Sequence, residues 1–152
     1  MNSDFKDLLR ILLEKGARFL IIGGYAVIRY TEPRYTKDLD LLISPTPENA
    51  AKVYAALQDF GAPLETLNVG DLTIEGNFFQ VGLPPNRIDI IVQVPGINFD
   101  EAFNRCEFLR IDELEIPVVS CDDLIQSKLA AGRPQDLVDA GSLTKAKSHR
   151  GK

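Results

Sequence analysis

Three aspartates in apolar surroundings are the residues of this sequence best suited to chemistry. Asp38 and Asp40 are two positions apart in residues 38–43, a segment predicted to be a strand, so we expect both side chains on one face. Like charges this close repel each other, and Lys37 is the only basic neighbour along the chain. A bound divalent cation would remove that cost.

Asp89 is a carboxylate inside a second apolar segment, residues 87–92, which is also predicted to be a strand. If the two strands are neighbours, three carboxylates converge at one point of the sheet. Oxygen ligands of this kind suit Mg²⁺ or Mn²⁺, and a two-metal site can hold the attacking and leaving oxygens of a phosphoryl displacement. The alternative is that Asp89 faces water on an edge strand or pairs near Arg87.

Gly23-Gly24 follows the apolar run at residues 19–22 and precedes a helical pattern at residues 25–30. A turn from strand to helix can bind phosphate oxygens through backbone amides and the positive end of the helix dipole. Glycine suits this position because a side chain would keep the phosphates away from the backbone. A simple tight turn is the alternative, since neither a Walker loop nor a Gly-x-Gly-x-x-Gly motif is present.

The rest of the chain supplies elements that could position these residues. Spacing of apolar residues, N-caps at Ser3, Thr46 and Ser120, and glycine stops predict helices over 3–15, 25–30, 46–60, 99–106, 120–131 and 134–143. Strands are predicted at 19–22, 38–43, 77–81, 87–92, 107–111 and 115–119, with a further short one at 72–74. We therefore expect an α/β (α+β) fold in which helices flank a mixed sheet.

The predicted domain organisation is one domain at residues 1–143 and a basic, flexible tail at residues 144–152. The 152 residues, with 45% hydrophobic and 26% charged side chains, exclude a disordered chain. The apolar runs are too short to span a bilayer, and the N-terminus lacks the features of a signal peptide, so we expect a cytoplasmic protein without membrane partners. Cys106 and Cys121 are predicted to be reduced, structural thiols.

The glycine pair and the aspartates together resemble the signature of the DNA polymerase β-like nucleotidyltransferase superfamily. The resemblance rests on Ile22-Gly23-Gly24, a spacer at 25–37, Asp38-Leu39-Asp40-Leu41 and the later Asp89. Residues 23–27 and 33–42 most resemble the small bacterial and archaeal branch that includes AbiEii-type toxins and antibiotic nucleotidyltransferases. The resemblance covers residues 17–143 and implies the polymerase β-like fold.

The activity that the resemblance implies is transfer of a nucleoside monophosphate from an NTP to an acceptor hydroxyl, with release of pyrophosphate. Asp38 and Asp40 would hold two Mg²⁺ or Mn²⁺ ions, and Asp89 would join them at the metal that activates the acceptor, with a general-base role also open to it. Gly23 and Gly24 would cradle the triphosphate. Further candidates for nucleotide contact, each with a structural role as its alternative, are Arg34, Thr36, Lys37, Lys128 and Arg133.

The acceptor is left open by the sequence: a tRNA end, a protein hydroxyl or a small molecule such as an antibiotic. The formal net charge of −5 does not favour RNA, but it does not exclude it. Family members that act on defined acceptors usually carry additional regions, so a homodimer or a partner protein is expected to complete the acceptor site. A toxin–antitoxin role is one prediction, and a non-catalytic nucleotide-binding or interaction module is the alternative function.

Overall fold

The computed structural model describes residues 1–32, 36–82 and 86–150, and of Arg150 only the backbone. The helices are α1 (Ser3–Glu14), α2 (Gly23–Tyr30), α3 (Pro47–Phe60), α4 (Phe99–Asn104), α5 (Cys121–Ala131) and α6 (Pro134–Arg150). The strands are β1 (Phe19–Ile22), β2 (Leu39–Ile43), β3 (Phe78–Val81), β4 (Ile88–Ile91), β5 (Glu107–Ile111) and β6 (Leu114–Val118). The described residues therefore form the predicted mixture of helices and strands.

The strands of the described chain form one six-stranded mixed sheet in the order β3-β4-β2-β1-β6-β5. The central strand β2 is antiparallel to β1 and parallel to β4, while β1 is parallel to β6. This order places the C-terminal end of β1 beside the N-terminal ends of β2 and β4. The strands that carry Asp40 and Asp89 are therefore neighbours, which is the condition for their carboxylates to converge.

Apolar residues of the central strands and of the covering helices form the core. All four residues of β1 are buried, as are Leu39, Leu41, Leu42 and Ile43 of β2. Helix α1 packs against α3, and α2 contacts both α5 and α6. Burial of this apolar surface, at roughly 25 cal/mol per Å², is the main source of stability. No helix among the described residues is long and apolar enough to cross a membrane.

Four sequence-based expectations about elements were wrong in detail. Residues 72–74 do not form a strand. Val69–Thr73 is a 3₁₀ helix, and reciprocal hydrogen bonds between Asn68 and Asp71 cap its N-terminus. Asn2, not Ser3, caps α1, because its side chain accepts from the amides of Asp4 and Phe5.

The other two differences concern element ends. Asp38 lies just before β2, which begins at Leu39. Helix α6 does not end near Leu143 but continues to Arg150, and Lys147 forms an ion pair with Asp122 of α5. Most of the segment predicted as a flexible tail is therefore helical.

Candidate active site

The strand register brings two of the predicted carboxylates together. Asp40 of β2 is paired with Asp89 of β4, and on its other side Asp40 is paired with Ile22, the last residue of β1. Paired residues of neighbouring strands project to the same face of the sheet. The Asp40 and Asp89 side chains therefore lie side by side at the point where β1 passes into α2.

The glycine pair lies directly against this site. Gly23 has a φ of +72°, and a Cβ atom at Gly23 would lie 2.1 Å from Oδ2 of Asp40. A Cβ atom at Gly24 would lie 2.4 Å from Oγ1 of Thr36. Both distances are far below van der Waals contact, so a side chain at either position would force Asp40 or Thr36 to shift. The glycines thus allow the close approach of Asp40 and Thr36, and their contact with phosphate stays a prediction.

Arg87 is a member of the acidic cluster that the sequence reasoning did not include as a site residue. Its Nε donates to Oδ1 of Asp89 at 3.1 Å, and its terminal NH2 nitrogen donates to Oδ2 of Asp38 at 3.3 Å and to Oδ2 of Asp89 at 3.4 Å. The signal was present in the sequence, because Arg87 and Asp89 are two positions apart and share a face as Asp38 and Asp40 do. The alternative pairing of Asp89 near Arg87 is therefore part of the observed arrangement.

The electrostatics of Asp40 reflect its crowded position. Burial of the Asp40 carboxyl, together with the nearby charge of Asp89, raises its pKa to about 6. The charge of Asp38 adds a smaller rise, and that of Arg87 lowers the pKa. When protonated, Asp40 can also share a hydrogen bond with Asp89. Asp89 has only 14% of its side chain exposed, whereas Asp38 is 37% exposed. The cluster therefore has an excess of negative charge that one guanidinium does not remove.

The predicted metal site is not assembled as a complete ligand set. Among the residues described, no group of three or more His, Cys, Asp or Glu side chains is arranged to hold one metal ion. Asp38 is joined to Asp89 through the Arg87 guanidinium. The donor chemistry nevertheless fits Mg²⁺ or Mn²⁺, because the facing carboxylates are hard oxygen ligands in need of positive charge. The role of the three aspartates as metal ligands stays a prediction.

The loop before β2 contributes to the surroundings of the glycine pair. Thr36 packs against Gly24, and Lys37 is exposed. Arg34, the third predicted contact of this loop, lies outside the described residues. Beyond Thr36 is a cavity of about 330 Å³ that apolar and polar side chains line together: Met1, Asn2, Phe5, Tyr25, Ile28, Thr36, Lys37 and Asn86.

Lys128 and Arg133 lie in the hairpin formed by α5 and α6. Lys128 is largely buried, with its Nζ 3.5 Å from Oδ1 of Asp136 and 3.3 Å from Oδ2 of Asp139. Arg133 has 78% of its side chain exposed and contacts Asp136 through Nε at 2.6 Å. These hydrogen-bonded ion pairs hold the pKa of Asp136 below its ordinary value. The structure brings both basic residues to Asp136, and their contact with a nucleotide stays a prediction.

In this fold a glycine turn meets carboxylates at one end of the central strands of a mixed sheet. Residues 4–146 match the model of a family described as nucleotidyltransferases of unknown function, DUF6036. The chain belongs to this family. The prediction of a nucleotidyltransferase is therefore confirmed at the level of the family. No curated protein matches the sequence.

Solved structures show the same fold. The lincosamide antibiotic adenylyltransferase LnuA, with lincomycin bound, is 14% identical with a TM-score of 0.60, and the alignment covers 96% of this chain and 98% of that one. ANT(2'')-Ia, in complex with adenylyl-2''-tobramycin, is 16% identical with a TM-score of 0.60, covering 98% and 94%. TM1012 from Thermotoga maritima, a proposed nucleotidyltransferase, is 14% identical with a TM-score of 0.54, covering 99% and 93%. The predicted nucleotidyltransferase fold is confirmed.

Proposed function

We propose that this protein transfers a nucleoside monophosphate from an NTP to the hydroxyl of an acceptor, in a reaction that depends on a divalent cation. The observation that carries the proposal is the side-by-side placement of Asp40 and Asp89, directly against Gly23. Facing carboxylates cost stability where one guanidinium does not balance their charge, and such a cost is typical of functional sites. The family membership makes phosphoryl transfer the chemistry to expect here.

Asp40 and Asp89, with Asp38 joining them, are the residues that would hold Mg²⁺ or Mn²⁺. Metal ions at such sites stabilise negative charge on phosphoryl oxygens and make a bound hydroxyl a better nucleophile. Of the three aspartates, Asp40 is the best placed to bind the metal ion, because it lies on β2 between β1 and β4. Asp38 contributes once its oxygen is released from Arg87.

Asp89 is the candidate general base. In the proposed step, the acceptor oxygen attacks the α-phosphorus of the NTP, and a carboxylate oxygen of Asp89 receives the hydroxyl proton. The bond between the α-phosphorus and the oxygen that bridges to the β-phosphorus breaks, and pyrophosphate leaves. Arg87 donates hydrogen bonds to both oxygens of Asp89 and so fixes the orientation of this carboxylate.

The N-terminus of α2 is the proposed position of the triphosphate. Its first residues are Gly23 and Gly24, whose amides belong to the first helical turn and are free of side-chain bulk. Thr36 and Lys37 border the same region. The neighbouring cavity, whose lining includes Phe5, Tyr25 and Ile28, suits a nucleobase or the apolar part of an acceptor. Arg34, Lys128 and Arg133 stay further candidates for nucleotide contact.

A small molecule with a free hydroxyl is the acceptor class we favour. The support is the similarity to LnuA and ANT(2'')-Ia, whose structures contain lincomycin and adenylyl-2''-tobramycin, and whose chains align with this one over nearly their full length. An RNA end and a protein hydroxyl are the competing acceptors. A toxin–antitoxin role is tested separately: growth arrest on expression that Asp89→Asn abolishes would support it.

The test is a transfer assay with α-³²P-labelled ATP, GTP, CTP and UTP in Mg²⁺ or Mn²⁺. The acceptors are a panel of lincosamides and aminoglycosides, pooled tRNA, and a protein lysate. Label in a small molecule supports the favoured acceptor, and label in RNA or protein replaces it. Asp89→Asn removes the proposed base, and Asp112→Asn, an exposed carboxylate in the turn between β5 and β6, is the matched control. No transfer to any acceptor contradicts the proposal.

A non-catalytic module that retains the fold is the second candidate function. The observation that favours it is Arg87, which already pairs with Asp38 and Asp89 and could make the acidic cluster a purely structural network. This candidate predicts that NTP binding, if present, does not depend on a divalent cation. It also predicts that Asp89→Asn leaves ligand binding unchanged.

A further inference from the structure

Arg87 lies between Asp38 and Asp89 in the acidic cluster. It precedes β4 and reaches across to the segment before β2, so that its guanidinium contacts one oxygen of Asp38 and both oxygens of Asp89. The Arg87 side chain is 30% exposed and thus partly buried. The Asp89 side chain beside it is more buried. A guanidinium held in three hydrogen bonds from two of its nitrogens has a defined position.

The charges of the cluster explain why an arginine is present. Asp38, Asp40 and Asp89 carry up to three negative charges on neighbouring chain segments, and Arg87 supplies one positive charge between Asp38 and Asp89. In the part of the chain that the structure describes, Arg87 is the basic residue that contacts these carboxylates and reduces the repulsion among them. Lysine could supply the same charge but not the fork that bonds both oxygens of Asp89.

The oxygens that Arg87 occupies are those that a divalent cation would need. Oδ2 of Asp38 accepts a hydrogen bond from the guanidinium, and so does each oxygen of Asp89. The positive charge of Arg87 also repels a cation that approaches the cluster. The same contacts that hold the cluster together in the cation-free protein therefore oppose the loading of metal.

We infer that Arg87 is an internal counter-cation that competes with the divalent metal for the carboxylates of Asp38 and Asp89. The inference rests on the proposed function, because it requires that these carboxylates bind metal. Arg87 is a positioning residue in this account: it acts through the carboxylates. Its removal has two opposite effects, a less stable cation-free protein and a tighter metal site.

The test measures Mn²⁺ binding without nucleotide, by the electron paramagnetic resonance signal of free Mn²⁺, together with thermal unfolding in EDTA and in Mn²⁺. Arg87→Gln is expected to bind Mn²⁺ at least about tenfold more tightly than the wild type, since it removes a like charge a few ångströms away. Its Tm is expected to fall in EDTA and to rise more with Mn²⁺ than that of the wild type. Arg87→Lys retains the charge and should bind Mn²⁺ within about threefold of the wild type.

Arg110→Gln is the matched control, because Arg110 also pairs with one carboxylate, Glu115, but at an exposed position on β5. It should change neither measurement. If the wild type binds Mn²⁺ and Arg87→Gln binds it equally or more weakly, the inference fails and the proposed function stands. If neither binds Mn²⁺, both fail. Should Arg87→Gln be unfolded in EDTA, recovery of its circular dichroism spectrum with Mn²⁺ supports the inference, and no recovery overturns it.

Discussion

The carboxylates of Asp40 and Asp89 lie side by side on adjacent parallel strands, in direct register, with Gly23 against the first of them. Residues so far apart in the chain meet because β2 and β4 are neighbours in the sheet although β3 lies between them in sequence. Like charges in this position cost free energy in the cation-free protein. A site that binds a cation and a triphosphate requires such carboxylates, and the bound cation would offset their repulsion.

Loss of either facing carboxylate should abolish transfer without unfolding the protein. Asp89→Asn removes the proposed base and Asp40→Asn removes the central metal ligand, so each should lower kcat/KM by at least about 100-fold. Near-wild-type circular dichroism is expected for both. Asp112→Asn should retain full activity because this residue is exposed and remote in the sheet order. Wild-type rates in Asp89→Asn would remove it from the mechanism.

The raised pKa of Asp40 predicts a pH-dependent difference in stability. The folded-state pKa of about 6 exceeds the ordinary value of 3.8, so the stabilising contribution of the protonated carboxyl is complete below pH 3.8 and is lost as the pH rises through 6. In EDTA, Asp40→Asn should therefore match the wild type at pH 4 and exceed its free energy of unfolding by on the order of 2 kcal/mol at pH 8.

Urea unfolding of both proteins at a series of pH values measures this difference. Subtraction of the two curves removes the contribution of carboxylates remote from Asp40, because both proteins contain them. A difference that does not change between pH 4 and pH 8 would show that burial and Asp89 do not raise the pKa of Asp40. Addition of Mn²⁺ at pH 8 should stabilise the wild type more than the variant.

The close approach at Gly23 predicts an effect beyond backbone strain. Gly61 also has a positive φ, +91°, but nothing lies within 4 Å of a Cβ added there. Gly61→Ala should thus cost only the strain of its conformation, about 1 kcal/mol. Gly23→Ala has the same strain and also forces Asp40 out of its position, so it should cost at least about 2 kcal/mol more and weaken Mn²⁺ binding. Equal losses in the two variants would mean that Asp40 adapts freely.

Lys128 is expected to be a stabilising residue of the α5–α6 hairpin, whatever its contact with a nucleotide. It is 16% exposed between Asp136 and Asp139, which are nearly fully buried. Lys128→Met should lower the free energy of unfolding by about 2–4 kcal/mol, because it removes the buried cation that Asp136 and Asp139 share and leaves Asp136 paired with the exposed Arg133 alone. Arg133→Met, at an exposed position, should change it by at most about 1 kcal/mol. Similar effects of the two substitutions in urea unfolding would contradict this.

The fold was largely predictable because most elements carry strong local signals. The buried run at β1, the proline and threonine at the start of α3, and the glycines that end α3 and α5 all act within a few residues. Helix α6 was underestimated because the apolar spacing fades after Leu143, while the ion pair of Lys147 with Asp122 is a tertiary contact. The 3₁₀ helix at Val69–Thr73 depends on side-chain hydrogen bonds between Asn68 and Asp71, which leave no helical or strand-like spacing of apolar residues in the sequence.

The candidate site was predictable in part for the same reason. Spacing alone placed Asp40 and Asp89 correctly on strands but wrongly included Asp38, which lies just before β2. The sheet order brings Asp40 and Asp89 together. The close contact of Gly24 with Thr36 and the bridging position of Arg87 depend on three-dimensional packing across strands and loops. No one-dimensional pattern contains the information that the guanidinium reaches Asp38 rather than solvent.

The most direct test of the central claim is calorimetric binding of a non-hydrolysable ATP analogue, in Mn²⁺ and in EDTA, to the wild type and to Asp40→Asn. The account predicts binding to the wild type in Mn²⁺ only, and a loss of at least about tenfold in affinity in the variant. Asp112→Asn should bind as the wild type does. Equal affinity in Mn²⁺ and EDTA, or equal affinity of the wild type and Asp40→Asn, would contradict a metal-dependent nucleotide site at the Asp40–Asp89 pair.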